Sequence, residues 1–211
     1  MGKGEIRRIS TADRILLKRL FLDECRFHLK DEVMDEFLDL GTVIEFGRGE
    51  MVCRAGLIDS NIYVVIEGII SRWRWNNDKE VVDTFSLPGT MFMDYHSYYA
   101  SLDAHAFFEA CCPARLLKVS ARDFDNLIER SHSFARWALS MAQGQLYSYE
   151  IRELNFNGDV SERYAALMQN RPEIIRKVPM KTVAAYLGVS PQYLSTLRKE
   201  WHNSSSQKRT T

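Results

Sequence analysis

The chain has 211 residues, 45% of them apolar and 27% charged, ordinary values for a globular protein, and no stretch reaches the roughly 18 consecutive apolar residues of a membrane helix. Membrane spanning is therefore not expected, and residues 1–10, with Lys3, Arg7 and Arg8 but no apolar run behind them, do not read as an export signal. Lys plus Arg and Asp plus Glu balance at 28 each, yet residues 161–211 hold nine bases against three acids (+6), leaving nineteen against twenty-five elsewhere (−6), a split that points to a nucleic-acid-facing C-terminus on an acidic body.

In chain order, Ile15, Leu16, Leu20 and Phe21, then Val33, Phe37 and Leu38, recur at helical spacing. They predict a pair of helices between Thr11 and about Leu40, with Ser10 as N-cap and Gly41 as stop. From Thr42 to about Ser120 the pattern turns to short runs rich in Val, Ile, Phe and Tyr, punctuated by Gly47, Gly49, Gly56, Gly68, Asn76, Asn77 and the Pro88 and Gly89 turn. Runs at 61–67, 69–75, 81–86, 106–112 and 115–119 predict a compact antiparallel barrel or jelly roll. Cys25, Cys53, Cys111 and Cys112 form no CxxC pair, and neighbours at 111 and 112 in a strand point to opposite faces. Neither a disulfide framework nor a metal cradle is expected, and a reducing cytoplasm fits.

Helical character returns at Ala121 and is predicted to run to about Asn155. Phe134, Trp137, Ala138, Met141, Ala142, Gln145, Leu146 and Tyr149 form a stripe at steps of three and four, with Gly144 the one helix breaker. Such a stripe needs a partner surface. The same helix of a second subunit would supply it, placing Phe134, Trp137, Met141, Gln145 and Tyr149 at a homodimer interface; the alternative is that the helix packs only on its own barrel.

The segment Val178–Lys199, VPMKTVAAYLGVSPQYLSTLRK, has the arithmetic of a helix-turn-helix. With Met180 as the first position, Ala184 at the fifth is small where the second helix crosses, and Gly188 at the ninth supplies the positive-φ turn. Val183, Leu187, Val189, Leu194 and Leu197 fall at the buried places, and Ser190 caps the second helix with Pro191 in its first turn. If Leu194, Leu197 and Trp201 turn inward, Gln192, Ser195, Thr196 and Lys199 share the outer face at 100° per residue. These are the expected base-edge contacts, Tyr193 is a further expected DNA-binding residue, and Lys181, Ser190 and Arg198 would hold the phosphate backbone.

Together these features resemble the Crp/Fnr family of bacterial transcription regulators over nearly the whole chain. Besides the DNA-reading string, IYVVIEGIISRWRW resembles the family's strand–Gly–strand segment around Gly68, and FSLPGTMFMDYHSYY the start of its cyclic-nucleotide phosphate cassette. The resemblance implies an α+β protein: a jelly-roll sensor over 1–120, a dimerisation helix over 121–157, a small all-α helix-turn-helix domain over 158–203 and a disordered tail over 204–211. It implies a homodimer that binds double-stranded DNA at a pseudo-palindromic operator and recruits or blocks RNA polymerase, in response to a small-molecule effector.

The departures from the pattern are specific. Where nucleotide-binding members carry a Gly–Glu pair and then an Arg–Ser or Arg–Thr pair, this chain has Met93–Asp94 and Ala104–His105. The phosphate-fixing arginine is absent, so cyclic AMP binding is not expected, and Asp94, Tyr95, Ala104 and His105 stand nearest the implied ligand position. No cofactor is expected. About nine residues before the helix-turn-helix and ten after Trp201 are too few for the β-hairpin wings of many relatives, so wings are expected to be reduced or absent, with Lys208 and Arg209 in the tail as further phosphate contacts.

Two other readings compete. Asp94, His96, His105 and Glu109 could serve a metal-dependent cupin-like enzyme, although His96 falls in an expected loop and no catalytic residue or metal ligand set is assigned; His28, His132 and His202 are isolated. A sensor acting through protein contacts without DNA binding is the other.

Overall fold

The computed structural model describes residues 7–24, 27–156 and 158–207. Helix α1 (Thr11–Glu24) and helix α2 (Asp31–Asp39) open the chain. Ser10 acts as expected: its Oγ accepts the Asp13 N–H at 3.1 Å, satisfying one orphan donor of the first turn. Arg14 and Lys18 on α1 reach Asp35 on α2 at 2.9 and 2.8 Å, which sets the angle between the two helices.

The strand-rich region folds into two four-stranded antiparallel sheets facing each other as a jelly roll; it is not a closed barrel. Strands β1 (Thr42–Phe46), β2 (Met51–Cys53), β3 (Ile62–Glu67), β4 (Ile70–Asn76), β5 (Lys79–Ser86), β6 (Met91–Phe92), β7 (Phe107–Ala110) and β8 (Ala114–Val119) distribute as β1-β8-β3-β6 in one sheet and β2-β7-β4-β5 in the other. The apolar run of β3 is continuous because both of its faces are covered: Ile62, Val64 and Ile66 meet the helices, while Tyr63 and Val65 meet the sandwich interior. Gly68 sits at φ 94°, and a Cβ there would lie 2.6 to 2.7 Å from Ala114 and the Pro113 carbonyl. Only glycine fits that turn.

A short helix, α3 (Tyr95–Ala100), follows β6, and His96 lies on it rather than in a loop. The helical stretch predicted from Ala121 is two helices, α4 (Ala121–Arg130) and α5 (His132–Phe156). They break at Ser131, whose extended backbone leaves its Oγ to accept the Phe134 N–H at 3.3 Å. Phe134, Trp137 and Met141, expected at a subunit interface, are buried in the chain's own core with Phe21, Phe37 and Phe124. Trp137 lies edge-on to Phe21 at 5.2 Å between centroids. The reason is that α1 and α2 wrap back over this part of α5 and supply the partner surface the stripe requires.

The C-terminal part is helical throughout its described length: α6 (Val160–Asn170), α7 (Pro172–Lys177), α8 (Met180–Leu187) and α9 (Pro191–Gln207). Among the described residues no strand follows β8, so no wing flanks the helix-turn-helix. The segment before the motif is a helix, α7, with Pro172 in its first turn. Residues 204–207, expected in a disordered tail, instead continue α9 to Gln207. Cys25, Lys208 and Arg209 lie outside the described residues, as does the side chain of His202.

Candidate nucleic-acid interface and effector cavity

The two halves of the helix-turn-helix meet through Val183, Ala184 and Leu187 of α8 and Leu194 and Leu197 of α9, all buried. Gly188 closes α8 at φ 70°, and the Val189 N–H returns to the Ala184 carbonyl at 3.0 Å, a left-handed C-cap that β-branched residues adopt only with strain. Ser190 Oγ then accepts the Tyr193 N–H at 3.1 Å and starts α9. Trp201, half-buried, donates from Nε1 to Ser161 Oγ at 3.3 Å and lies edge-on to Tyr164.

On the outer face of α9, Gln192, Tyr193, Thr196 and Lys199 are exposed, with Ser195 and Arg198 half-buried beside them. Thr196 Oγ1 donates to the Gln192 carbonyl at 3.3 Å, and the Arg198 guanidinium turns toward the Met180 sulfur at 3.7 Å. Lys181, expected on the phosphate backbone, is held elsewhere: its Nζ lies 2.9 Å from a Glu80 carboxylate oxygen on the β4–β5 hairpin, and that pairing holds its pKa above the ordinary lysine value. Helix α8 faces the sensor at this point. Tyr186 lies 5.0 Å from Phe85 between ring centroids, and Ile69, Trp73, Val82, Phe85 and Cys111 form one apolar cluster with the core of the C-terminal helices.

A cavity of about 930 Å³ opens where the inner face of the second half of α5 meets the sensor and α6. Its α5 wall includes Gly144, Gln145 and Ser148, small or polar residues on the same side of the helix that carries Phe134, Trp137 and Met141 one to three turns earlier, with Met141, Tyr147, Tyr149 and Ile151 also on the lining. Asp94, Tyr95 and His105 line it; Ala104 does not, being buried with its backbone tied to Leu57 and Gly56. The buried Asp94 carboxylate caps α3 by accepting the Ser97 N–H at 3.0 Å. Tyr95 donates to the Gln145 side-chain oxygen at 2.9 Å, and Gln145 donates to the Met91 carbonyl. Gln145, expected between subunits, thus clasps α5 to its own sensor, and Tyr149 stands at the cavity's edge, 44% exposed.

His96 and His105 meet on the cavity wall with Nε2 atoms 3.0 Å apart. His96 Nδ1 lies 2.7 Å from the Asp103 carbonyl; a carbonyl only accepts, so Nδ1 carries a hydrogen and His96 meets His105 through Nε2. The four residues of the metal-enzyme reading do not converge. Asp94 is committed to α3, and Glu109 accepts the Trp73 Nε1–H at 3.0 Å, its pKa raised chiefly by burial. Among the described residues no group of three or more His, Cys, Asp or Glu side chains is placed to hold a metal ion. The sequence reading missed Arg72, Arg163 and Arg171 on the cavity lining, because they lie on β4, on α6 and just beyond α6, and no local pattern joins them.

Residues 43–131 match the cyclic nucleotide-binding domain family. Among solved structures, FixK2 from Bradyrhizobium japonicum superposes with a TM-score of 0.66 at 17% identity, over 78% of this chain and 86% of that one. The c-di-GMP-responsive global regulator CLP of Xanthomonas campestris gives 0.67 at 17% identity, over 83% and 93%. A third, described as a putative cAMP-binding regulatory protein from Silicibacter pomeroyi, gives 0.64 at 18% identity over 92% and 89%. The chain has the Crp/Fnr-type fold. No curated protein matches it in sequence, and among the described residues no helix is long and apolar enough to cross a membrane. The Crp/Fnr-type fold thus extends past the matched domain, since these superpositions cover more of the chain than residues 43–131.

Proposed function

We propose that the protein is a sequence-specific, DNA-binding transcription regulator that acts as a homodimer and is controlled by a ligand in the α5 cavity rather than by cyclic AMP. The observation that carries this reading is the exposed row Gln192, Tyr193, Thr196 and Lys199 on a helix whose opposite side is locked onto α8 by Leu194 and Leu197. In the major groove Gln192 would take adenine in bidentate fashion, Thr196 a thymine methyl and Lys199 a guanine or phosphate. A dimer with its two recognition helices about 34 Å apart would read a pseudo-palindrome, with RNA polymerase as the further partner.

The subunit contact follows the corrected geometry. Leu139 and Leu146 share one exposed face of α5, opposite the buried Phe134, Trp137 and Met141, with the exposed Tyr149 at its flank, and we assign the dimer interface to that face. Against cyclic AMP stand the residues where the resemblance calls for an arginine: Ala104, off the lining, and His105, on it, offer no guanidinium for a cyclic phosphate, and Arg72 is paired with Asp83.

Anisotropy titrations against genomic fragments test the reading. Specific binding that falls steeply with salt is expected. Gln192→Ala should cost about 1–3 kcal/mol at one base position and relax preference there, whereas equal losses on every sequence would refute the assignment of α9. Calorimetry with cyclic AMP should show no binding.

A further inference from the structure

We propose that His96 and His105 form a two-histidine site for a divalent transition metal ion on the wall of the α5 cavity, its remaining coordination positions left to water or to a donor group of a molecule in the cavity. The site goes beyond the regulator reading and does not depend on it. It stands on two imidazoles and on the segment that joins them.

That segment is pinned at several points. Asp94 caps α3 at the Ser97 N–H, the Ser97 hydroxyl donates to the Leu102 carbonyl at 2.9 Å, and the Leu102 N–H returns to the His96 carbonyl at 3.3 Å. The buried Ala104 accepts from the Gly56 N–H at 2.9 Å and donates to the Leu57 carbonyl at 3.0 Å, with His105 exposed beside it. Both rings are therefore carried on backbone that is fixed before an ion arrives, which spares binding the cost of ordering a loop.

The distances suit a single ion. Two nitrogens each about 2.0–2.1 Å from one metal lie roughly 2.9–3.4 Å apart when the angle between them is about 90–110°. The Nε2 atoms of His96 and His105 are 3.0 Å apart. Because His96 Nδ1 donates to the Asp103 carbonyl at 2.7 Å, its Nε2 is the ligating atom, and the carbonyl orients the ring as an outer-shell partner does for a metal-bound imidazole. In the free protein a hydrogen on one Nε2 satisfies the pair. Binding of the ion expels that proton and gives both lone pairs to the metal.

Donor chemistry selects the class of ion. Two imidazoles without a thiolate favour copper, nickel, cobalt or zinc over magnesium or calcium, which take oxygen ligands. Among the described residues no third His, Cys, Asp or Glu completes the set, so the ion keeps open positions, as sites that receive an exogenous ligand do. His105 is exposed and His96 half-buried, which leaves the ion a way in.

The test uses the full chain without a histidine tag, stripped of metal with a chelator and held above the ordinary histidine range, near pH 7.5. Zinc is titrated by calorimetry and cobalt by visible absorption. One equivalent per chain is expected, with a cobalt spectrum of nitrogen and oxygen ligation and no sulfur band from the half-buried Cys112. His96→Asn and His105→Asn should each weaken both ions about tenfold or more. His105 is exposed, so His105→Asn should keep the metal-free unfolding midpoint of the parent and report on ligation alone. The combined variant His28→Asn, His132→Asn, His202→Asn should bind as the parent does. Absence of binding in the parent, unchanged binding in His105→Asn, a sulfur band, or loss in the combined variant would overturn the site. DNA titrations on the metal-free chain are a separate measurement, so failure here leaves the assignment of α9 standing.

Discussion

The two halves of helix α5 present the same inward face to different surroundings. From Phe134 to Met141 that face carries two aromatic side chains and a methionine, and α1, α2 and α4 close over them. From Gly144 to Ser148 it carries glycine, glutamine and serine, and a cavity of about 930 Å³ takes the place of side chains. One helix therefore serves as a core element at its start and as the wall of a site at its end. Residue size along a single stripe decides which.

The largest expected effect comes from making the first half resemble the second. Trp137→Ala removes a side chain 1% exposed that touches Phe21, Phe37 and Phe134. A loss of about 3–5 kcal/mol in urea unfolding is expected. A loss below about 1 kcal/mol would mean that the first half is as loosely filled as the second, and the contrast would not hold.

How much of this was legible depended on range. The helix-turn-helix was read position by position because its constraints lie within 22 residues: Gly188 must turn, Ser190 must cap, Leu194 must be covered. Strands β3, β4, β5, β7 and β8 were legible from composition and turns, while β1, β2, β6 and α3, two to six residues each, were too short to show a period. The stripe on α5 gave the inward positions Phe134, Trp137 and Met141, but it also drew in Leu146 and Tyr149, which are exposed, and the inward positions meet the chain's own core. Periodicity says which side of a helix is apolar, and nothing in 134–149 says that residues 11–39 return to cover it. The cavity draws on residues from 72 to 187, and Lys181 is bound to a carboxylate 101 positions away; neither leaves a local trace. The same limit explains Ala104, which the resemblance placed beside the ligand and the fold turns inward.

Outside faces invite the next test. Leu146→Glu alters a residue 61% exposed in the single chain, so unfolding should shift little, while a dimer closed by Leu139, Leu146 and Tyr149 would lose about 1.5–3 kcal/mol per buried leucine and gain an unpaired charge. Sedimentation should show monomers. Met141→Glu, on the opposite side, should instead unfold the chain, and a folded monomer from that variant would return the interface to the buried stripe.

A pH-dependent effect of about 1 kcal/mol should be confined to the covering of the first half. Asp13 on α1 accepts two hydrogen bonds from Arg115 of β8 at 2.8 and 2.9 Å, and the Arg115 guanidinium, ahead of the opposing burial, holds the carboxyl below the ordinary range. A depressed folded pKa means that this stabilisation is complete above the unfolded value near 3.9 and is lost as pH falls through the folded one. Arg115 is one-third exposed, which reduces a charge-assisted pair to about 1 kcal/mol. Thermal unfolding of Asp13→Asn should trail the parent at pH 6 and approach it as pH falls below the ordinary carboxylate range and through the depressed folded value. A gap that persists unchanged into acid would show that the variant acts by packing rather than by charge.

The smallest effect bears most directly on the second half. Gly144 lies inside α5 at an ordinary negative φ with open space where a Cβ would stand, so no turn or close approach requires glycine there. Gly144→Ala should stabilise the protein by about 0.5–1 kcal/mol through helix propensity alone. The cavity loses one methyl's volume, too little to exclude a small molecule. Stabilisation in thermal unfolding would separate the two demands on this position, helix formation and an open wall. Destabilisation would mean that a neighbour already occupies the space, and the contrast between the halves of α5 would then be one of degree.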